Sequence, residues 1–92
     1  MYTVAFEWDP KKSVTNVRKH GIEFADAVSA LEDPGVLNMQ EDHEEEERWA
    51  ALGMDAFGRI LLVIYTLRDE SFRMISARTA TPNERQQYLE SI

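Results

Sequence analysis

The nine residues Arg59 to Leu67 (RILLVIYTL) constrain this chain most. They are apolar on both faces of an extended backbone, so as a strand they must be covered above and below. Turn signals bracket the run, Asp55-Ala56-Phe57-Gly58 before it and Arg68 to Ser71 after it. The flanking segments Arg48 to Met54 (RWAALGM) and Phe72 to Ala80 (FRMISARTA) read as its neighbours in an antiparallel sheet. If Arg68 to Ser71 is a hairpin loop, Thr66 faces Arg73, Tyr65 faces Met74, Val63 faces Ser76 and Leu61 faces Arg78.

The cover must come from helices. Tyr2 to Trp8 (YTVAFEW) alternates as a half-buried strand does. Asp9-Pro10 then supplies an N-cap and a proline at the first helical position, which starts a helix from about Pro10 to Lys19. Its apolar contribution is Val14 and Val17, and Gly21 ends it as a left-handed cap. Phe24, Ala27, Val28 and Leu31 recur at helical spacing, predicting a second helix from about Phe24 to Glu32. Val36 to Met39 is a short strand candidate. Thr81-Pro82-Asn83-Glu84 forms a capping box, so a last helix runs to about Ser91. The expected fold class is α+β, one small domain over residues 1–92, in the order β-α-α-β-β-β-β-α, with an antiparallel sheet and helices packed on it.

Composition narrows the function. Hydrophobic content of 43% beside 29% charged residues is ordinary globular usage, which argues against disorder. No apolar run approaches the roughly 18 residues of a membrane helix, and MYTVAFEWDPKKS lacks the basic start and long apolar middle of a secretory signal. The expected address is therefore the cytoplasm. The absence of cysteine excludes a disulfide framework and a thiol nucleophile. The formal net charge is −7, yet from Glu23 to Asp55 there are eleven acids against one base, so the flanks are basic. Such a chain binds polyanions weakly overall but has room for a local cationic site.

That site is foreshadowed in SFRMISARTAT, Ser71 to Thr81. Arg73 and Arg78 lie five residues apart in a strand, which places them on opposite faces unless a bulge near Ser76-Ala77 re-aims one. Each could instead pair with a nearby carboxylate, Arg73 with Asp69 or Glu70, at about 0–1 kcal/mol. Arg68 at the hairpin, Arg85 in the last helix and the Lys19-His20 pair add cations from other elements. Arginine's planar fork suits phosphate oxygens and a transition state gaining charge at phosphorus.

The strings FEWDPKKSVTNVRKHGIEFADAVSALEDP, DHEEEERWAALG and GRILLVIYTLRDESFRMISARTATPNERQQY resemble the BrnT toxins of bacterial type II toxin-antitoxin modules, over roughly Phe6 to Tyr88. The resemblance implies a RelE-like microbial ribonuclease fold and a toxin that cleaves RNA and arrests growth. It implies as partners an RNA substrate and a cognate ribbon-helix-helix antitoxin, with DNA reached only through the antitoxin, no membrane, and room for a homodimer within the complex. The family's recurrent polar residues fall on Lys19, His20, Arg73, Ser76, Arg78, Glu84 and Arg85. At Thr79 family members often carry a basic residue, and at Glu23 a serine N-cap.

A ribonuclease of this kind needs a base for the ribose 2′-OH, cations for the phosphorane-like transition state and an acid for the leaving oxygen. The chain can fill these roles with no cofactor and no metal. The catalytic candidates are Arg78 and Arg73 for phosphate stabilisation, with His20 or Glu84 for proton transfer. Lys19, Arg68, Ser76 and Arg85 are the RNA-binding candidates. His20 can equally serve the first helix's C-terminus, and Glu84 can be simply the capping-box carboxylate. His43 among Asp42 and Glu44 to Glu47 invites a metal reading, but consecutive carboxylates on an extended segment alternate in direction. The acidic run reads better as a solvated strand edge or a landing surface for a basic segment of the antitoxin. Trp8 and Trp49 read as core, Trp49 alternatively as a partner anchor. A second hypothesis is a binding module that keeps the toxin fold and antitoxin partnership with little nuclease activity. Direct DNA binding lacks a basic helix in a helix-turn-helix pattern.

Overall fold

The computed structural model of the chain describes residues 5–41 and 44–92. Its elements are β1 (Ala5–Glu7), α1 (Pro10–His20), α2 (Phe24–Leu31), β2 (Leu37–Glu41), β3 (Arg48–Met54), β4 (Ile60–Arg68), β5 (Ser71–Thr79) and α3 (Pro82–Ser91). The expected order holds, and the doubly apolar run is the middle strand of a five-stranded sheet, β1-β5-β4-β3-β2. Leu61 and Val63 on one face join Ile22, Phe24, Ala27, Ala30, Met74 and Ala77 in a core beneath α1 and α2. Ile60 and Leu62 on the other face join Ala50, Leu52 and Tyr88 of α3 in a second core. Each fully buried aliphatic side chain contributes about 1.5–3 kcal/mol, and β4 supplies such side chains to both layers.

The sheet is mixed, which corrects the antiparallel expectation. β2 to β5 are joined pairwise antiparallel, but β1 lies parallel to β5, with Phe6 opposite Phe72 and Glu7 opposite Arg73. Hairpins dictate antiparallel pairing locally, whereas β1 is connected through two helices, and a helical crossover leaves its direction to tertiary packing. That packing is visible in the stacked Phe6 and Phe72 rings, 5.2 Å apart, and in Trp8 set edge-on to Phe24. Of the alternating segment from Tyr2 to Trp8, residues 2–4 lie outside the described residues.

Helix α2 lies very close to β3. A Cβ on Gly53 would stand 2.1 Å from the Ala30 carbonyl oxygen, so only glycine allows the approach. The β3–β4 turn is tied down by Asp55, whose carboxylate accepts from the Phe57 and Arg59 N–H groups and pairs with the Arg59 guanidinium at 2.7 Å. The β4–β5 turn is two residues long, Asp69 and Glu70, both at positive φ, as a hairpin of this type requires.

Helix α1 departs from expectation in what it buries. Its caps are as expected: Asp9 accepts from the Lys11 N–H, and Gly21 sits at φ 71°. Val14, however, is 54% exposed, and the buried residue of the helix is Asn16. The reason lies in β5. Its pairing with β1 stops at Arg73, and among the described residues no strand pairs the rest of that edge. Asn16 fills the vacancy: Nδ2 donates to the Ala77 carbonyl at 2.8 Å and to the Ile22 carbonyl at 2.8 Å, while Oδ1 accepts from the Ala77 N–H at 3.0 Å. A single amide thus acts as a strand would. Substituting Asn16→Ala orphans three buried backbone groups at about 1–3 kcal/mol each, so we expect at least about 3 kcal/mol of lost stability in urea denaturation. A change below about 1 kcal/mol would contradict this account.

Candidate functional site

The site is built on an irregularity in β5. Thr66 faces Arg73 and Tyr65 faces Met74 as the hairpin predicts, but the next pair is Ile64 with Ser76, then Val63 with Ala77 and Leu62 with Arg78. Ile75 is the extra residue, one step before the anticipated position. Its insertion shifts the parity of everything beyond it. Arg73, Ser76 and Arg78 therefore share the face of Thr66, Ile64 and Leu62, while Met74 and Ala77 turn together into the α1–α2 core, 1% and 0% exposed.

Both arginines meet carboxylates on that face. Arg78 grips Glu84 of α3 through two parallel hydrogen bonds, Nη1 to Oε1 at 2.8 Å and Nη2 to Oε2 at 3.0 Å. Arg73 pairs with Glu7 across the parallel β1 at 3.3 Å, rather than with the hairpin acids Asp69 or Glu70. Glu84 is also the capping-box carboxylate, accepting from the Thr81 N–H at 2.9 Å. The Arg78 fork holds its carboxyl below the ordinary glutamate range against some desolvation, and Glu84 in turn raises the Arg78 guanidinium. Glu84 is thus an anion at neutral pH, suited to orienting Arg78 and unsuited to delivering a proton.

Lys19 and His20 end α1. They line a groove of about 190 Å³ between α1 and β5 together with Lys12, Thr15, Asn16, Ile75 and Ser76. Ser76 belongs to both regions and links them at the strand edge. Arg68 closes β4 on the arginine face by register, exposed. Arg85 follows Glu84 in α3, also exposed, and makes no polar contact with Arg73 or Arg78. Asp42 and His43 lie outside the described residues, among which no group of three or more His, Asp or Glu side chains could hold a metal ion. Glu7, Lys12, Thr15 and Asn16 escaped the reading of the sequence. Asn16 left one signal, being a poor helix former in mid-helix, a position that rewards an amide with a hydrogen-bonding task.

A second carboxylate anchors α3 to the sheet. Asp33 accepts from the Tyr88 hydroxyl and from the Met54 and Gly35 N–H groups. Burial raises its carboxyl, but these donors outweigh that and leave it below the usual aspartate value, while Asp33 and burial push Tyr88 up to about 12. Glu84 and Asp33 both have lowered folded values, so their contribution to stability is present above the unfolded carboxylate range near pH 4 and is lost as pH falls through the folded values. Glu84→Gln should therefore flatten the acid limb of urea stability between about pH 5 and pH 2; a curve parallel to the parent's would refute the pairing. Tyr88 acts at the other extreme: its contribution is complete below about pH 10 and is lost as pH rises toward 12.

Fold and site together define a small α+β protein that turns a bulged, arginine-bearing strand toward solvent beside a lysine- and histidine-lined groove. Residues 8–84 match the family described as the ribonuclease toxin BrnT of type II toxin-antitoxin systems. The chain belongs to this BrnT family. Its structure is similar to the crystal structure of the Brucella abortus ribonuclease toxin BrnT, with 29% sequence identity and a TM-score of 0.64, covering 86% of this chain and 99% of that one. A comparison with curated proteins gave no match. Among the described residues no helix is long and apolar enough to cross a membrane.

Proposed function

We propose that this chain is an active, metal-independent endoribonuclease of RelE-like kinship, neutralised in the cytoplasm by a cognate ribbon-helix-helix antitoxin. The observation that carries the reading is the Ile75 bulge, which puts Arg73, Ser76 and Arg78 on one register face of β5, with Ser76 also lining the groove of Lys19 and His20. In the proposed reaction His20 takes the proton of the ribose 2′-OH, and the 2′-oxygen attacks phosphorus. The bond from phosphorus to the 5′-oxygen breaks, that oxygen takes its proton from water, and the hydroxide left behind recovers the proton held by His20. The products are a 2′,3′-cyclic phosphate and a 5′-hydroxyl end. Arg78 and Arg73 stabilise the charge developing on the non-bridging oxygens, Glu84 having held Arg78 in position until substrate binds. Lys19, Ser76, Arg68 and Arg85 contact the backbone. Substrate phosphate replaces Glu84 and Glu7 on the guanidinium forks, exchanging one oxyanion for another.

Arg78→Ala should lower cleavage of single-stranded RNA in the presence of EDTA by about 10²–10³-fold, with a thermal midpoint within a few degrees of the parent. Parental cleavage by this variant would remove Arg78 from the site. A second reading, a weakly active binding module, draws on the carboxylates that already occupy both sheet arginines and on the exposed Thr79 beside them. The two readings separate on expression without antitoxin: the enzyme slows bacterial growth, whereas the module does not, although both retain the antitoxin.

A further inference from the structure

We propose that the groove between α1 and β5 binds the phosphodiester backbone of single-stranded RNA on one side of the cleavage position, with Lys12 as a contact beyond the residues assigned above. The inference rests on the ribonuclease reading and adds a path for the substrate. Among the described residues Arg48, Arg59, Arg73 and Arg78 all form ion pairs within the chain. Lys12 and Lys19 form none, and no aspartate or glutamate lines their groove. In a chain of net charge −7, this is a concave stretch of unneutralised positive charge.

Its shape suits an extended polyanion. Lys12, Thr15, Asn16, Lys19 and His20 follow one face of α1, and the two lysines stand about 10 Å apart along the axis at ~1.5 Å per residue. Asn16 spends both ends of its amide on backbone groups, so the wall it forms is rigid and the side chains beside it are presented to solvent. The other wall is Ile75 and Ser76, at a part of β5 that β1 does not reach. Because Ser76 also shares the register face of Arg73 and Arg78, a strand bound at the arginines can cross the bulge and continue into the groove. Lys12, exposed and nearly two turns before Lys19, then meets a phosphate farther along the chain.

The test uses the full chain and a twelve-nucleotide single-stranded RNA with 2′-O-methyl riboses, which cannot be cleaved by 2′-OH attack. A trinucleotide of the same chemistry and adenosine monophosphate serve as short probes. Lys12→Ala should weaken binding of the twelve-mer several-fold at low salt and reduce the slope of log affinity against log salt by about 0.7. Lys12→Ala with Lys19→Ala should reduce it by about 1.4. The trinucleotide and the monophosphate should bind Lys12→Ala as they bind the parent; a loss for the monophosphate alone would mark a free-nucleotide pocket and overturn the proposal. Lys11→Ala, which removes the same charge beside the groove, should leave the slope unchanged; an equal loss there would also overturn it. If the parent cleaves RNA while Lys12→Ala keeps the parental affinity and slope, the groove is off the RNA path although the toxin reading stands. If the parent neither binds the twelve-mer nor cleaves unmodified RNA, both readings fall.

Discussion

The amide of Asn16 against the backbone of Ala77 is the contact on which the rest of the arrangement depends. A sheet edge carries a row of donors and acceptors that must be paired or wetted. Here β1 pairs β5 only as far as Arg73, and Ala77 lies buried beyond it. A longer β1 could have completed the ladder, but it would have covered the strand edge from end to end. One amide from a helix satisfies the buried residue and ties α1 to the sheet, while leaving the bulge at Ile75 and Ser76 open on the groove. The economy has a consequence for function: the same helix that seals the edge also sets Lys12, Lys19 and His20 beside it.

Charge in this molecule is arranged to be local. Arg73 and Arg78 are held by Glu7 and Glu84, Arg59 by the buried Asp55 and Arg48 by Glu46, so four of the seven guanidinium groups are matched where they stand. Such pairs contribute little to stability at a surface, but a bidentate carboxylate keeps a guanidinium in one rotamer with its fork intact. An arginine held this way presents a phosphate-shaped vacancy as soon as the carboxylate yields. The cost of that yielding tempers affinity for any passing polyanion, which agrees with the net acidity of the chain. The groove lysines, with no such partner among the described residues, are the complement: in the proposed function they would attract at range and the sheet arginines select at contact.

Much of the fold was legible because local chemistry announces it. The doubly apolar β4, the caps Asp9, Gly21 and Thr81, and the glycine-limited turn at Gly58 each carry their own physical reason, and each stands where it was expected. What was not legible depended on partners distant in sequence. β1 runs parallel because Phe6 and Glu7 find Phe72 and Arg73, and nothing near residue 6 states that. Val14 and Val17 promised the buried face of α1, yet α1 needed Asn16 inward because β5 lacked a neighbouring strand. Val14 is left in water for the same reason. The candidate site was legible as a list of side chains, of which Arg73, Ser76 and Arg78 share one register face of β5 and Glu84 pairs with Arg78. The tie of Arg73 to Glu7 spans most of the chain, and the role of Glu84 as the arginine's holder follows from a fold in which α3 returns to β5.

The bulge itself was closer to the surface of the sequence than it first appears. Met74 and Ala77 are three residues apart and both apolar, and Arg73 and Arg78 are five apart and both cationic. Each spacing is odd, and a regular strand would send each pair to opposite faces. One extra residue between Met74 and Ser76 resolves both conflicts at once, giving the core its two apolar side chains and the open face its two arginines. The burial of Met74 and Ala77 stabilises the irregular backbone, so the arginine geometry is enforced by packing on the far side of the sheet rather than by contacts between the charged groups. Filling the core and aligning the cations are one structural event, and a change in the apolar pair would be felt first in the distance between the two guanidinium groups.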